Sequence, residues 1–282
     1  MQFTASPMEN LVINVVDIRD RIFHNVSDLQ WTAVILAEDS GVLSGVSLLR
    51  QSAKNIGIRI LHVMDEGAEI TSGTELARFI CSPKELAEAE DSFIGTLAKA
   101  SGIATAARSF SRCAGNVRIV SGAWKKQPPE IKDLVRRSVI TGGAHFRVTD
   151  DPMIYLDKNY TAVLGGIGSA LQAVSDLPGK KVIQIKGRWC NHNIVQEALE
   201  AMDNGADIIY VDTGRLDDLS SVSSVLREKG FSGSIVFGGG VTYEAIPEII
   251  RLGADIIGVG RKIIDAPLLD MKLEVIGTAC KV

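Results

Sequence analysis

Three glycines follow an apolar run in SIVFGGGVTYE, starting at Ser234, and one unit later GVGRK closes a second apolar run at Lys262. Glycine in a structured segment has an entropic cost, so the bare backbone must serve something. Without a Cβ in the way, backbone N–H groups can close on phosphate oxygens, with Arg261 or Lys262 adding charge. Gly238, Gly239, Gly240, Gly258 and Gly260 are therefore the candidate phosphate-binding residues. The competing reading is that they only make tight turns beneath crowded helices. Cations stand elsewhere in the chain. Lys125 and Lys126, in GAWKKQPP, could meet a ligand oxyanion, or could be a solvated helix entry before Pro128 and Pro129. Arg147 follows a glycine pair on a predicted loop, where a guanidinium can fork onto an oxyanion. Lys186 ends a predicted strand and needs an anionic partner there: a ligand phosphate, or a salt bridge to Asp212 or Asp157. His145 reads equally as a satisfied loop residue or a proton carrier. No nucleophile–base pair is evident.

The hydrophobic pattern shows what must position these groups. Strand-type runs at 182–185, 207–211, 234–237 and 255–259 recur roughly every 25 residues, the size of one β-plus-α unit. Amphipathic helical stretches such as IVQEALEAMDNG and EAIPEIIRLG separate them, and Asn193 with Gln196 reads as an N-cap with its reciprocal partner. Two units share a phrase, NGADIIYVD and LGADIIGVG, in which glycine stops a helix and a strand buried on both faces begins. VRIV (117–120) and MIYL (153–156) are earlier strands, with PPEIKDLVRRSVITGG a helix between them. Such alternation predicts a parallel sheet with helices outside it, a TIM-like β/α barrel, complete or incomplete, over 113–268. Phosphate sites in these barrels lie at strand C-termini, commonly after the last two strands, where the glycines fall.

The first hundred residues read differently. WTAVILAEDSGVLSG and GIRILHVMDEGAEI alternate like antiparallel strands, while SLLRQSAKNIG and SPKELAEAEDSFIGTLAKASGIATAARSF are helical. This predicts an α+β, sandwich-like N-terminal domain over 1–112, bridged to the barrel by the long helix. The strand-like tail LLDMKLEVIG, within 269–282, returns to that domain. The fold class is α/β.

Composition bounds the partners. The 282 residues are 46% hydrophobic and 23% charged, with net charge −4, so bulk charge offers nothing to nucleic acid or an anionic membrane. No apolar run approaches the roughly 18 residues that cross a bilayer. The opening MQFTASPMEN lacks the layout of a secretory signal, which makes a cytoplasmic location the expectation. Cys81, Cys113, Cys190 and Cys280 form no paired motif, and RWCNHN offers Cys190 and His192 without a second ligand pair, so no zinc site is expected.

The order SGIAT (101–105), a basic–proline segment, GADIIYVD (205–212), GGGVT (238–242) and GVG resembles the type II phosphoribosyltransferases. Within them it is most similar to the quinolinate phosphoribosyltransferase (nicotinate-nucleotide pyrophosphorylase) family, over nearly the whole chain. The resemblance implies a pentosyltransferase of NAD biosynthesis. Such an enzyme moves ribose 5-phosphate from phosphoribosyl pyrophosphate to the ring nitrogen of a quinolinate- or nicotinate-like acid. It further implies a homodimer or dimer-based oligomer, Mg²⁺, and Asp212 as a metal or ribose carboxylate. Lys125 and Arg147 match family cations and Asn159 matches a family asparagine, with Lys158 beside it; Lys126, Lys158, Asn159 and Gln184 are the substrate-binding candidates. Lys125, Arg147, Lys186 and Asp212 are the catalytic ones. Such a transfer needs positioning and electrostatic stabilisation, not a nucleophile.

The match is uneven. Trp124 stands where the family has an arginine, Phe146 where it has a histidine, Asp157 where it has a lysine, and Ile264 where a histidine is expected. Gln184 and Lys186 replace acidic residues, and Asp91 replaces an arginine that would reach a neighbouring subunit. Exchanging glutamate for Lys186 reverses local charge, worth several kcal/mol at contact distance. A second reading follows: a catalytically impaired paralogue that binds a phosphorylated ligand and acts as sensor or partner subunit.

Overall fold

The computed structural model describes residues 17–279; MQFTASPMEN and Cys280 lie outside them. A short helix α1 (Ile18–Ile22) leads into β1 (Trp31–Ala37), β2 (Gly41–Val42), α2 (Val46–Ile56), β3 (Arg59–Val63), β4 (Glu69–Ile70) and β5 (Glu75–Cys81). The sequence pattern does not mark β5, whose ELARFIC opens with helix-favouring residues. Pairing along both edges, with β1 and with β3, overrides that propensity. Helix α3 (Pro83–Ala89) opens on a capping box made by Ser82 and Glu85. A single π-helical turn (Glu90–Ile94) joins it to α4 (Gly95–Ala114).

The repeating units then run β6 (Arg118–Val120), α5 (Lys132–Thr141), β7 (Met153–Leu156), α6 (Lys158–Leu164), α7 (Ile167–Gln172), β8 (Lys180–Ile185), α8 (Ile194–Asp203), β9 (Ile208–Asp212), α9 (Leu216–Glu228), β10 (Ser234–Gly238), α10 (Ile246–Arg251), β11 (Ile256–Gly258) and α11 (Arg261–Ile264). All the pairs among these strands are parallel, in the order β6-β11-β10-β9-β8-β7. Segment 144–148 lies on the free edge of β6, held by His145 N–H to Ile119 O at 2.9 Å and Ser121 N–H to His145 O at 2.7 Å. Finally β12 (Met271–Thr278) returns and pairs antiparallel with β1, Trp31 opposite Thr278, giving the sheet β12-β1-β5-β3. Among the described residues, no helix is long and apolar enough to cross a membrane.

Alternate strand residues face inward. Val182, Ile208, Val236 and Ile256 fill the barrel interior, while Ile183, Ile209, Ile235 and Ile257 face the helices. The shared GAD phrase does two jobs. Gly205 and Gly253 take left-handed φ values of 81° and 92°, and the following Ala206 and Ala254 N–H groups bond back to Ala201 and Ile249 carbonyls, ending α8 and α10. Asp207 and Asp255 then accept the N–H of Lys181 (2.8 Å) and Ile235 (2.7 Å) at the start of the neighbouring strand. The phrase is thus a register clamp between adjacent units. Helix α4 serves both halves. Leu97 and Ala98 enter the core of the antiparallel module, and Ile103, Ala107 and Phe110 enter the core around the barrel.

Candidate active site at the barrel mouth

Inward positions at the C-terminal ends of β8 and β9 meet. Lys186, just past β8, sends Nζ to within 2.7 Å of Asp212 Oδ2 and 2.7 Å of Asp212's main-chain oxygen. Gln184 Nε2 donates to the same Oδ2 at 2.6 Å, and Gln184 Oε1 accepts from the Lys158 N–H at 3.1 Å. Lys186 and Asp212 side chains remain 23% and 25% exposed, which leaves the pair open to a ligand from the mouth.

Sequence reasoning missed the residue that fixes this corner. Glu197, on α8, is fully buried, and its carboxylate accepts from the N–H groups of Lys186 and Gly187 at 2.9 Å and of Arg188 and Trp189 at 2.5 Å. A carboxylate can be buried when charge-assisted hydrogen bonds surround it. The available signal was an acid on the apolar face of IVQEALEAM, between Ile194 and Ala198. Asn193 caps α8 by accepting from Val195 and Gln196 N–H; its own N–H goes to Cys190 O, not to the Gln196 side chain.

The glycines divide into three kinds. Gly238 and Gly258 are register partners on β10 and β11, and the Tyr210 phenol from β9 lies across both. A Cβ at Gly238 would sit 2.6 Å from Tyr210 Oη, and one at Gly258 would sit 2.8 Å from Cζ and overlap the hydroxyl. Gly239, with φ +110°, is pressed against Gly214, whose N–H bonds to Gly238 O at 2.9 Å. Gly240 has nothing within 4 Å of its Cβ direction, and Gly260 meets only Ala123 Cβ at 3.8 Å. These last two leave backbone accessible on neighbouring strand ends.

Tyr155 and Tyr210 stand edge to face, centroids 6.4 Å apart, and burial pushes both phenols well above their ordinary pKa, so they stay neutral. Lys125 Nζ lies 4.4 Å from the centre of the Tyr155 ring, a cation–π contact over the barrel interior. Lys126 is exposed. Arg147 is half-buried on the segment beside β6, and its carbonyl accepts from Arg118 Nη2. The replaced positions have structural partners. Trp124 Nε1 donates to Phe146 O at 3.0 Å, the two rings meet edge to face, and the Arg136 guanidinium lies 4.9 Å from the Trp124 ring centre. Asp157 caps α6 through Asn159 and Tyr160 N–H, leaving Lys158 and Asn159 exposed on its first turn. Ile264 is buried, and Asp91 is paired with Arg19. His145 lies beside Arg118 and Asp150; burial first, then Arg118, holds its pKa low.

The described residues do not build an all-protein cage for a divalent cation. Mg²⁺ demands a near-octahedral shell of oxygens, and among the described residues no three of His, Cys, Asp and Glu gather to hold a metal. Asp212 Oδ2 is already taken by an ammonium and an amide.

An antiparallel α+β module joined to a parallel barrel with a basic, glycine-rimmed mouth is the build of a barrel-type pentosyltransferase. The chain belongs to the quinolinate phosphoribosyl transferase family, whose N-terminal domain matches residues 17–101 and whose C-terminal domain matches residues 103–274. A probable nicotinate-nucleotide pyrophosphorylase [carboxylating] of Archaeoglobus fulgidus is 26% identical over 249 residues, 86% of this chain and 94% of that one. The human nicotinate-nucleotide pyrophosphorylase [carboxylating] is 25% identical, covering 86% of this chain and 81% of that one. Among solved structures, the nicotinate-nucleotide pyrophosphorylase of Pyrococcus furiosus superposes with TM-score 0.79 at 20% identity, over 93% of this chain and 73% of that one. That of Francisella tularensis gives 0.78 at 18%, over 94% and 91%. These superpositions speak for the fold.

Proposed function

We propose that the protein transfers ribose 5-phosphate from phosphoribosyl pyrophosphate to the ring nitrogen of a quinolinate- or nicotinate-like aromatic acid. The observation that carries this reading is local. The two unobstructed glycines, Gly240 and Gly260, follow neighbouring strands on the rim that also carries the Lys186–Asp212 pair. Their N–H groups cradle the 5-phosphate, and Asp212 faces the ribose. Lys125, Lys126 and Arg147 meet the pyrophosphate and the acceptor carboxylate, with Lys158 and Asn159 at the edge. The bond from C1 to the pyrophosphate oxygen breaks, its electron pair leaving with pyrophosphate, while the ring-nitrogen lone pair forms the new C1–N bond. Ribose C1 becomes oxocarbenium-like in between, and fixed charges around it lower the barrier without a covalent intermediate. With quinolinate as acceptor, the carboxylate beside the nitrogen departs as carbon dioxide and the ring carbon takes up a proton.

The relatives' enzyme names give no support to the impaired-paralogue reading. Gln184 and Lys186, which suggested it, are integrated into the mouth by defined hydrogen bonds. Purified protein incubated with the donor and a panel of aromatic acids, with and without Mg²⁺, is expected to release pyrophosphate with at least one of them. Silence across the panel, in a protein that is folded by circular dichroism, would sink the assignment. A homodimer in the cytoplasm completes the proposal; sedimentation equilibrium checks the first part and cell fractionation the second.

A further inference from the structure

We propose that Lys186 stands in for a divalent cation at the barrel mouth, so that the polyanionic donor binds against a built-in ammonium and not against a metal on Asp212. The proposal rests on the donor reading above. Asp212 is the strand-end carboxylate a hard cation would use. Its Oδ2 already accepts from Lys186 Nζ at 2.7 Å and Gln184 Nε2 at 2.6 Å. A doubly charged ion at that oxygen would have to share it with the ammonium and the amide, and the ammonium's charge cancels much of the attraction that one carboxylate offers. The neighbouring oxygens are partly committed as well. Gln184 turns its NH₂ toward Asp212 and its oxygen toward the Lys158 N–H, and Asp157 Oδ1 is committed to the cap of α6.

The ammonium is also delivered on a fixed stem. Buried Glu197 holds the Lys186 N–H and those of the three residues after it. An ammonium has three N–H donors. Two go to Asp212, one to the carboxylate and one to the main-chain oxygen, and the remaining donor is left for a ligand oxygen. Lys186 thereby neutralises donor charge and holds Asp212 in place at once.

The test uses Mn²⁺ as a paramagnetic probe on the full-length, chelator-treated protein, together with calorimetric titration of phosphoribosyl pyrophosphate in chelator and in millimolar Mg²⁺. Wild-type protein is expected to leave the free Mn²⁺ spectrum unchanged and to bind donor within about threefold under the two conditions, the spread of a contact no stronger than a surface ion pair. Lys186→Glu is expected to take up Mn²⁺. Lys186→Met keeps the backbone N–H to Glu197 and most of the stem, and so covers the case in which the glutamate variant misfolds. It should lose about 10- to 100-fold in donor affinity in chelator, the scale of one charge-assisted hydrogen bond. Stoichiometric Mn²⁺ binding by wild type, donor binding that tightens tenfold or more with Mg²⁺, or unchanged affinity in Lys186→Met would each overturn the proposal. If wild type excludes Mn²⁺ and Lys186→Glu binds it while no donor binds under any condition, the donor assignment falls and the exchange of ammonium for metal stands.

Discussion

At the scale of single residues, Tyr210 decides what the glycines around it mean. Its phenol needs the space that Cβ atoms at Gly238 and Gly258 would take, so Gly258→Ala is expected to cost about 1–3 kcal/mol through overpacking. Urea unfolding measures this. Tyr210→Leu should remove most of the penalty in the double variant, and additive costs would refute the contact. A second residue-level expectation concerns thiols. Burial, a hydrogen bond from the thiol to Glu200, and nearby acidic charge push Cys190 up to about 12, whereas Cys113 is exposed. Iodoacetamide near neutral pH should therefore label Cys113 well ahead of Cys190. The Cys190 rate should climb about tenfold per pH unit below its pKa, since only the thiolate reacts. Peptide mass mapping across pH reads both. The five glycines were legible as strand-end residues from their run lengths and places in the chain. Which of the five has open space was not legible, because Tyr210 sits a full unit away in sequence and only the register of β9 against β10 brings it over Gly238 and Gly258.

At the scale of elements, the alternation of apolar runs and helices marked β6 through β11 within a residue or two, since strands buried on both faces leave an unmistakable pattern. β5 escaped because its neighbours, not its own composition, make it a strand. Glu197 escaped for a related reason: its four N–H partners belong to a loop whose path is set only after β8 and α8 pack. The GAD clamps carry an expectation of their own. Asp255 accepts from the Ile235 N–H and also pairs with Arg227. Asp255→Ala leaves a strand-start N–H without its acceptor and should cost about 1–3 kcal/mol. Hydrogen exchange at Ile235 should accelerate more than at amides of β8, and uniform acceleration would argue against a local clamp.

At the scale of the whole molecule, α4 is one rigid element with a foot in each core. Leu97 and Ala98 are buried in the antiparallel module and Ile103, Ala107 and Phe110 around the barrel. Neither core can be dismantled without exposing part of that helix, so scanning calorimetry is expected to show a single transition. Two resolved peaks would mean that the halves are energetically separate. The partnership of β1 with β12 has another consequence, for the order in which the protein can be completed. β1 is among the earliest strands to leave the ribosome, yet one of its edges waits for a segment translated after the entire barrel. An open edge is an invitation to wrong partners. During synthesis the nascent chain must keep that edge shielded while the later half takes shape, and crowding by other nascent chains is the hazard it faces before the last strand arrives.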